Sequence, residues 1–156
     1  MNVKTFMTQP VITVREDTTL EAIARTLLEH HIGGVPVVDA QGKIIGIVTE
    51  SDFAAKEKGI PFSTFRAPQI FGQWLTPEGM EQLYATARNL TAQDVMRKHV
   101  VTLTENQSMA DAVELMLRYD INRVPVVRDG VPVGIVARHD LLRMVIAEKR
   151  SSENDA

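Results

Sequence analysis

Two aspartates stand at matching places in a repeated phrase. Residues 46–53 read GIVTESDF and residues 134–141 read GIVARHDL, so Asp52 and Asp140 follow a Gly-Ile-Val at the same spacing. An apolar run ending this way reads as a strand, and an Asp just beyond it is a residue that starts helices. A carboxylate there can cap the first helical turn, which is worth about 1 kcal/mol. It can also face a ligand, because it only accepts hydrogen bonds and sits where free N–H groups and a partial positive charge favour anions. Thr49 adds a hydroxyl in the first phrase, whereas Ala137 stands there in the second. No nucleophile–base pair and no phosphate loop of the form G-x-x-x-x-G-K-[ST] accompanies these residues, which argues against an enzyme. The four histidines lack ligand spacing, so no metal site is expected. His30 and His31 close a helical stretch, where cationic character is welcome, and read as structural.

The phrase belongs to a longer duplication. With an offset of 89, Met7 meets Met96, Thr13 meets Thr102, Glu16 meets Glu105, and Ile32 meets Ile121. Val-Pro-Val-Val at 35–38 falls on Val-Pro-Val-Val at 124–127. One residue drops out of the following turn, the offset becomes 88, and Gly46 meets Gly134 while Asp52 meets Asp140. A self-similarity of this order decides the architecture before any local reading.

Within each copy the periodicity predicts five elements. A β-branched run, VITV or VVTL, reads as a strand. Leu20, Ile23, Ala24, Leu27 and Leu28, and likewise Met109, Ala112, Val113, Met116 and Leu117, recur at helical spacing. Thr18 with Glu21, and Ser108 with Asp111, have the form of capping boxes. Two apolar strands follow around Gly42 or Asp129-Gly130. A last helix opens near Asp52 or Asp140, with Phe53 or with Leu141, Leu142 and Val145. The unit is β-α-β-β-α, in the mixed α/β class.

This order of elements, the Val-Pro-Val-Val strand and the ending G-h-h-T-x-x-D (h apolar) resemble the cystathionine-β-synthase (CBS) domain family, and two in tandem resemble a Bateman module. The resemblance covers residues 1–54 as a first motif and 91–149 as a second. It implies two motifs paired about a pseudo-two-fold axis, with clefts that bind AMP, ADP, ATP or S-adenosylmethionine as a regulatory ligand, with or without Mg. No cofactor is required. A ribose offers two neighbouring hydroxyls that one carboxylate can accept, and strand ends can wall an adenine. In similar modules one repeat supplies T-x-x-D and the other the adenine wall. That implies a first site of Thr49 and Asp52 facing His99, Val101, Asn122 and Arg123. It implies a second of Ala137, Arg138, His139 and Asp140 facing Thr8, Ile12, Ile32, Gly33 and Gly34. Arg123 aligns with Gly34, and a guanidinium can hold a phosphate through two parallel bonds. The first site is therefore expected to be the tighter one. The alternative function is a structural or dimerisation module that binds no ligand, which Ala137 favours.

Residues 55–90 form an insert that a minimal tandem pair does not need. It carries Phe62, Phe65, Phe71 and Trp74, and LTPEGMEQLYATARNL reads as a helix capped by Thr76 with Pro77 at its first position. Its aromatic residues would pack on the chain itself or on a partner. The polar tail 150–156 is expected to fray. The resemblance also implies a homodimer, with Phe53, Leu141, Leu142 and Val145 exposed on the helices after the two aspartates as its candidate contacts, and without a catalytic domain the module would report to a regulated protein whose identity the sequence does not give. A net charge of −3 argues against a nucleic-acid binder, and no apolar run is long enough for a membrane span. The start, MNVKTFMTQP, lacks a signal-peptide core, so the expected location is cytoplasmic. There is no cysteine, hence no disulfide or thiol chemistry.

Overall fold

The computed structural model of the chain describes residues 1–53, 55–56, 60–61, 81, 85 and 88–146. Helix α1 (Val3–Phe6) precedes strand β1 (Val14–Arg15), helix α2 (Leu20–Glu29), and strands β2 (Gly34–Val38) and β3 (Ile44–Thr49). A 3-10 turn spans Glu50–Asp52, and β4 (Ala55–Lys56) pairs antiparallel with β5 (Ile60–Pro61). The second copy brings α3 (Ala92–Val95), β6 (Leu103–Thr104), α4 (Met109–Tyr119), β7 (Arg123–Arg128) and β8 (Val131–Ala137). A final helix, α5, opens at residue 140, and its described part ends at 146. The predicted β-α-β-β-α order is present in the second copy; in the first, β-α-β-β is followed by the 3-10 turn in place of the expected helix, and an extra short helix precedes each copy.

Each copy forms a three-stranded sheet, β1-β2-β3 or β6-β7-β8, with one parallel and one antiparallel pairing. Every position of β2 is buried, as a continuous apolar run requires. β1 pairs only with Val37 and Val38, so Pro36 lies beyond its end. The second hairpin closes on Asp129 and Gly130, whose φ values of 50° and 78° fit a two-residue turn with both central residues left-handed.

The chain divides into two compact units that cut across the sequence repeats. One holds Met1–Val11 and the chain from Val101 onward; the other holds Ile12–Val100. The first eleven residues thus pack with the second repeat, and the start of the second repeat packs with the first. The exchange is symmetric in detail. Asn2 bridges Ser108 as Thr91 bridges Thr19, and Thr8 bridges Ile135 as Arg97 bridges Ile47. Val3, Phe6 and Met7 complete a core of Leu103, Met109, Ala112, Met116, Val124, Val126 and Val136. Ala92, Val95 and Met96 complete the other, with Val14, Leu20, Ile23, Leu27, Val35, Val37 and Val48.

Two sequence expectations change here. The cap of α2 is Thr19, whose Oγ1 accepts from the Ala22 N–H at 3.2 Å, while Thr18 Oγ1 accepts from Arg15 N–H. Thr19 aligns with Ser108, so the one-residue mismatch between the two caps disappears. The Ser108–Asp111 box forms as expected, each side chain accepting the other residue's N–H. Phe53 and Leu141, expected on an exposed helical face, pack on their own cores, whereas Leu142 and Val145 are exposed. Phe62, Phe65, Phe71, Trp74, Thr76, Pro77 and the tail lie outside the described residues. The described positions 81 and 85 of the predicted insert helix are helical.

The repeats also differ in charge pairing. Arg128 grips Glu105 through two bonds of 2.7 and 2.8 Å, and that guanidinium holds the Glu105 carboxyl below the usual carboxylate range. The position equivalent to Arg128 is Asp39, which instead accepts the Gln41 and Lys43 N–H groups of its own turn.

Candidate functional site

The strand that ends in Gly-Ile-Val delivers each aspartate to a turn at the sheet's end. Asp52 is only 2% exposed and Asp140 only 3%, the two buried charged residues among those described. Burying a carboxylate demands partners. Asp52 Oδ2 accepts the Thr49 N–H at 2.8 Å, and Asp140 Oδ2 accepts the Ala137 N–H at 2.8 Å. The second oxygens face arginines: Asp52 Oδ1 lies 3.8 Å from Arg97 Nε, and Asp140 Oδ1 lies 3.6 Å from Arg143 Nη1. Those arginines are half exposed, so each pair is worth about 0–1 kcal/mol. One oxygen of each carboxylate is therefore committed to the turn. The other has a weak, displaceable partner.

The turns are pinned by one further bond each. Glu50 N–H donates to the Gly33 carbonyl and Arg138 N–H to the Asn122 carbonyl, both at 2.8 Å. Strand register completes the picture: Gly34 is the partner of Thr49, and Arg123 is the partner of Ala137. Thr49 Oγ1 lies 2.7 Å from Ser51 Oγ and 3.4 Å from Asp52 Oδ2.

The expected site residues are shared between the two units. Thr49, Asp52, His99, Ile12, Ile32, Gly33 and Gly34 belong to the unit of residues 12–100. Thr8, Val101, Asn122, Arg123, Ala137, Arg138, His139 and Asp140 belong to the other. Arg123 was expected with Thr49 and Asp52, and Gly34 with Ala137 and Asp140. Within each unit, the antiparallel register puts Arg123 beside Ala137 and Gly34 beside Thr49. Ile12 and Ile32 pack on one core and Val101 on the other. His99, Asn122, Arg138 and His139 are exposed. Arg97 and Arg143 were not anticipated. Arg97 was within reach of the sequence, since it aligns with Thr8, already a candidate.

Comparison with known proteins places this geometry. The CBS domain profile matches residues 3–59 and 92–147, the two copies found from the repeat. The chain belongs to the CBS domain family. It is a tandem CBS pair, a Bateman module. It resembles the CBS domain of a CBS domain-containing membrane protein from Sphaerobacter thermophilus, at 47% identity and TM-score 0.69 over 92% of this chain and 86% of that one. The CBS domain pair of protein MJ0100, whose structure is in complex with 5′-methylthioadenosine and S-adenosyl-L-methionine, matches at 26% identity and TM-score 0.70 over 95% and 98%. CBSX1 of Arabidopsis thaliana, a chloroplastic CBS domain-containing protein, is 28% identical over 149 residues, 92% of this chain. The chain spans 62% of that relative's length. Among the described residues no helix is long and apolar enough to cross a membrane.

Proposed function

We propose that this CBS pair is a regulatory sensor of adenosine derivatives and that Asp52 and Asp140 hold the ribose diols. The observation that carries the reading is the pair of buried aspartates, each with one oxygen fixed by the turn and the other held only by a half-exposed arginine. A diol could replace that arginine with two short bonds to a group already desolvated. The adenosine ligands of the MJ0100 pair support the ligand class. Binding needs no covalent step, so the module would act in the cytoplasm by changing its contacts with a regulated protein rather than by catalysis. Thermal denaturation with AMP, ADP, ATP, 5′-methylthioadenosine, S-adenosylmethionine and a cyclic dinucleotide tests this. At 100 times its Kd a ligand stabilises by about 2.7 kcal/mol, which moves Tm by about 5–10 °C for a chain of this size. No shift with any adenosine compound would overturn the sensor reading in favour of a ligand-free dimerisation module.

The same reading includes a homodimer. Leu142, Val145 and Ile146 on α5 are 59%, 71% and 62% exposed, a cluster a folded chain rarely leaves bare. Sedimentation should give twice the 17.4 kDa chain mass, and Val145→Glu should shift the equilibrium toward the monomer. A wild-type monomer at concentrations on the order of tens of micromolar would refute it.

A further inference from the structure

The two aspartate turns are alike in backbone bonding but lead into different elements. Asp140 is the first residue of α5, and the arginine opposite its second oxygen, Arg143, stands one turn along that helix at 3.6 Å. After Asp52 the described residues pass from the 3-10 turn Glu50–Asp52 into β4 (Ala55–Lys56), not into a helix. The arginine opposite Asp52 is Arg97, on the segment after α3. Its backbone is tied to Ile47 by two bonds, of 3.0 and 3.1 Å. The exposed apolar side chains follow the same division. Leu142, Val145 and Ile146 fall on one side of α5 by helical spacing, and all three are exposed. Arg143 borders that side, one turn before Ile146. Among the described residues of unit 12–100, Leu28 on α2 is the one exposed large hydrophobic side chain.

We infer that the Asp140 turn is the one that regulates assembly: adenosine bound there frees Arg143 and weakens self-association of the chain through α5, whereas adenosine at the Asp52 turn leaves association unchanged. This rests on the ribose-binding and homodimer readings above and deepens them. While paired with Asp140, the Arg143 guanidinium is drawn back along α5 toward the turn. A ribose diol that takes Asp140 Oδ1 removes that partner. The freed guanidinium stays charged and hydrated at the border of Leu142, Val145 and Ile146. A second copy covering this face must then strip water from a charge without a partner, which is unfavourable. A two-fold contact does so twice, once in each copy. Adenosine is neutral, so the change in association comes from the arginine and not from the ligand's own charge. A diol at Asp52 displaces Arg97 in the same manner, but the Arg97 backbone stays fixed on Ile47 and carries no exposed apolar face with it. The coupling is reciprocal, so association must weaken adenosine at the Asp140 turn by the same factor.

Sedimentation equilibrium on the full chain, with and without saturating adenosine, tests this together with ¹⁵N–¹H NMR. Adenosine should raise the dimer Kd by about two- to fivefold per subunit, the range an exposed ion pair allows. The Leu142 to Ile146 amides should move with it. Asp140→Asn should abolish both effects, and Asp52→Asn should preserve them. Arg143→Ala should still bind adenosine but dimerise equally with and without it; Arg143→Lys, which keeps a charge for the carboxylate, should recover part of the response. A chain that dimerises and binds adenosine with an unchanged dimer Kd overturns the inference and leaves both earlier readings standing. So does a response that survives in Arg143→Ala or Asp140→Asn, or one that Asp52→Asn abolishes with Tm unchanged. Absence of adenosine binding removes the ribose-binding reading, and a wild-type monomer removes the homodimer; either result takes this inference with it.

Discussion

Alanine at Gly46 should destabilise the unit of residues 12–100 by about 1–3 kcal/mol, although alanine is the better residue for a strand by about 0.5–1 kcal/mol. The reason is the exchange of segments between repeats. Met96, carried in by the second repeat, lies flat on Gly46: an added Cβ would fall 2.7 Å from Met96 Cγ and 3.0 Å from Met96 Cβ, with Sδ closer still. Met7 covers Gly134 in the same way, at 2.9 Å from Cγ and 3.2 Å from Cε. Neither glycine has a positive φ, so it is room and not backbone freedom that they supply. The two sites should differ. A flexible methionine end can swing off Gly134, but the Met96 Cβ at Gly46 is fixed to the backbone. Gly46→Ala is therefore expected to cost more than Gly134→Ala in urea denaturation. Met96→Ala alone should cost about 2–5 kcal/mol through its cavity. The double variant should lose less than the sum of the singles by about 0.5–3 kcal/mol, because each change relieves the other. Strict additivity would show that the methionine is not what excludes a side chain at Gly46.

That interlock was the part of the fold the sequence hid. The repeat, its strands and helices, and the two aspartates were legible because period and spacing are local properties. The swap was not, because Val3, Phe6 and Met7 read equally well as the start of the first unit, and only packing assigns them to the core around Val124 and Val136. Thr18 and Thr19 are both competent caps, so composition could not choose between them; the backbone angle of Thr19 (φ −70°, ψ 152°) does. Phe53 and Leu141 looked available to a partner because helical periodicity was assumed to start at the aspartate. In the first copy a 3-10 turn spans Glu50–Asp52 instead, and Phe53 falls on the core. The expected grouping of Arg123 with Thr49 and Asp52 came from the resemblance alone. Resemblance supplied a pattern of residues crossing between repeats, while the β7–β8 hairpin ties Arg123 to Ala137 through ordinary strand register. The counter-ions of the aspartates were partly visible, since Arg97 occupies the place of Thr8 and brings a charge to it.

Asparagine at Asp52 or Asp140 should nearly abolish adenosine binding at that turn and barely change stability, and this contrast decides between a ligand contact and a cap. An asparagine oxygen can still accept the Thr49 or Ala137 N–H now bonded at 2.8 Å by Oδ2. As a local cap Asn is about as good as Asp. What disappears is the second acceptor, replaced by an NH₂ that only donates, together with the negative charge. A ribose diol then finds one acceptor too few. Hydrogen bonds to charged groups are worth about 1.5–3 kcal/mol, and 1.4 kcal/mol is tenfold in Kd, so the affinity should fall by at least tenfold. Stability loses only the pair with Arg97 or Arg143, about 0–1 kcal/mol at these half-exposed arginines. Alanine at the same positions removes the cap as well and leaves the turn N–H unpaired in a buried place, which should add about 1–3 kcal/mol of destabilisation. Calorimetry and urea denaturation on Asp52→Asn, Asp140→Asn and both alanine variants separate the roles. Adenosine bound as tightly by the asparagine variants as by the native chain would mean that the two carboxylates are buried only to hold their turns.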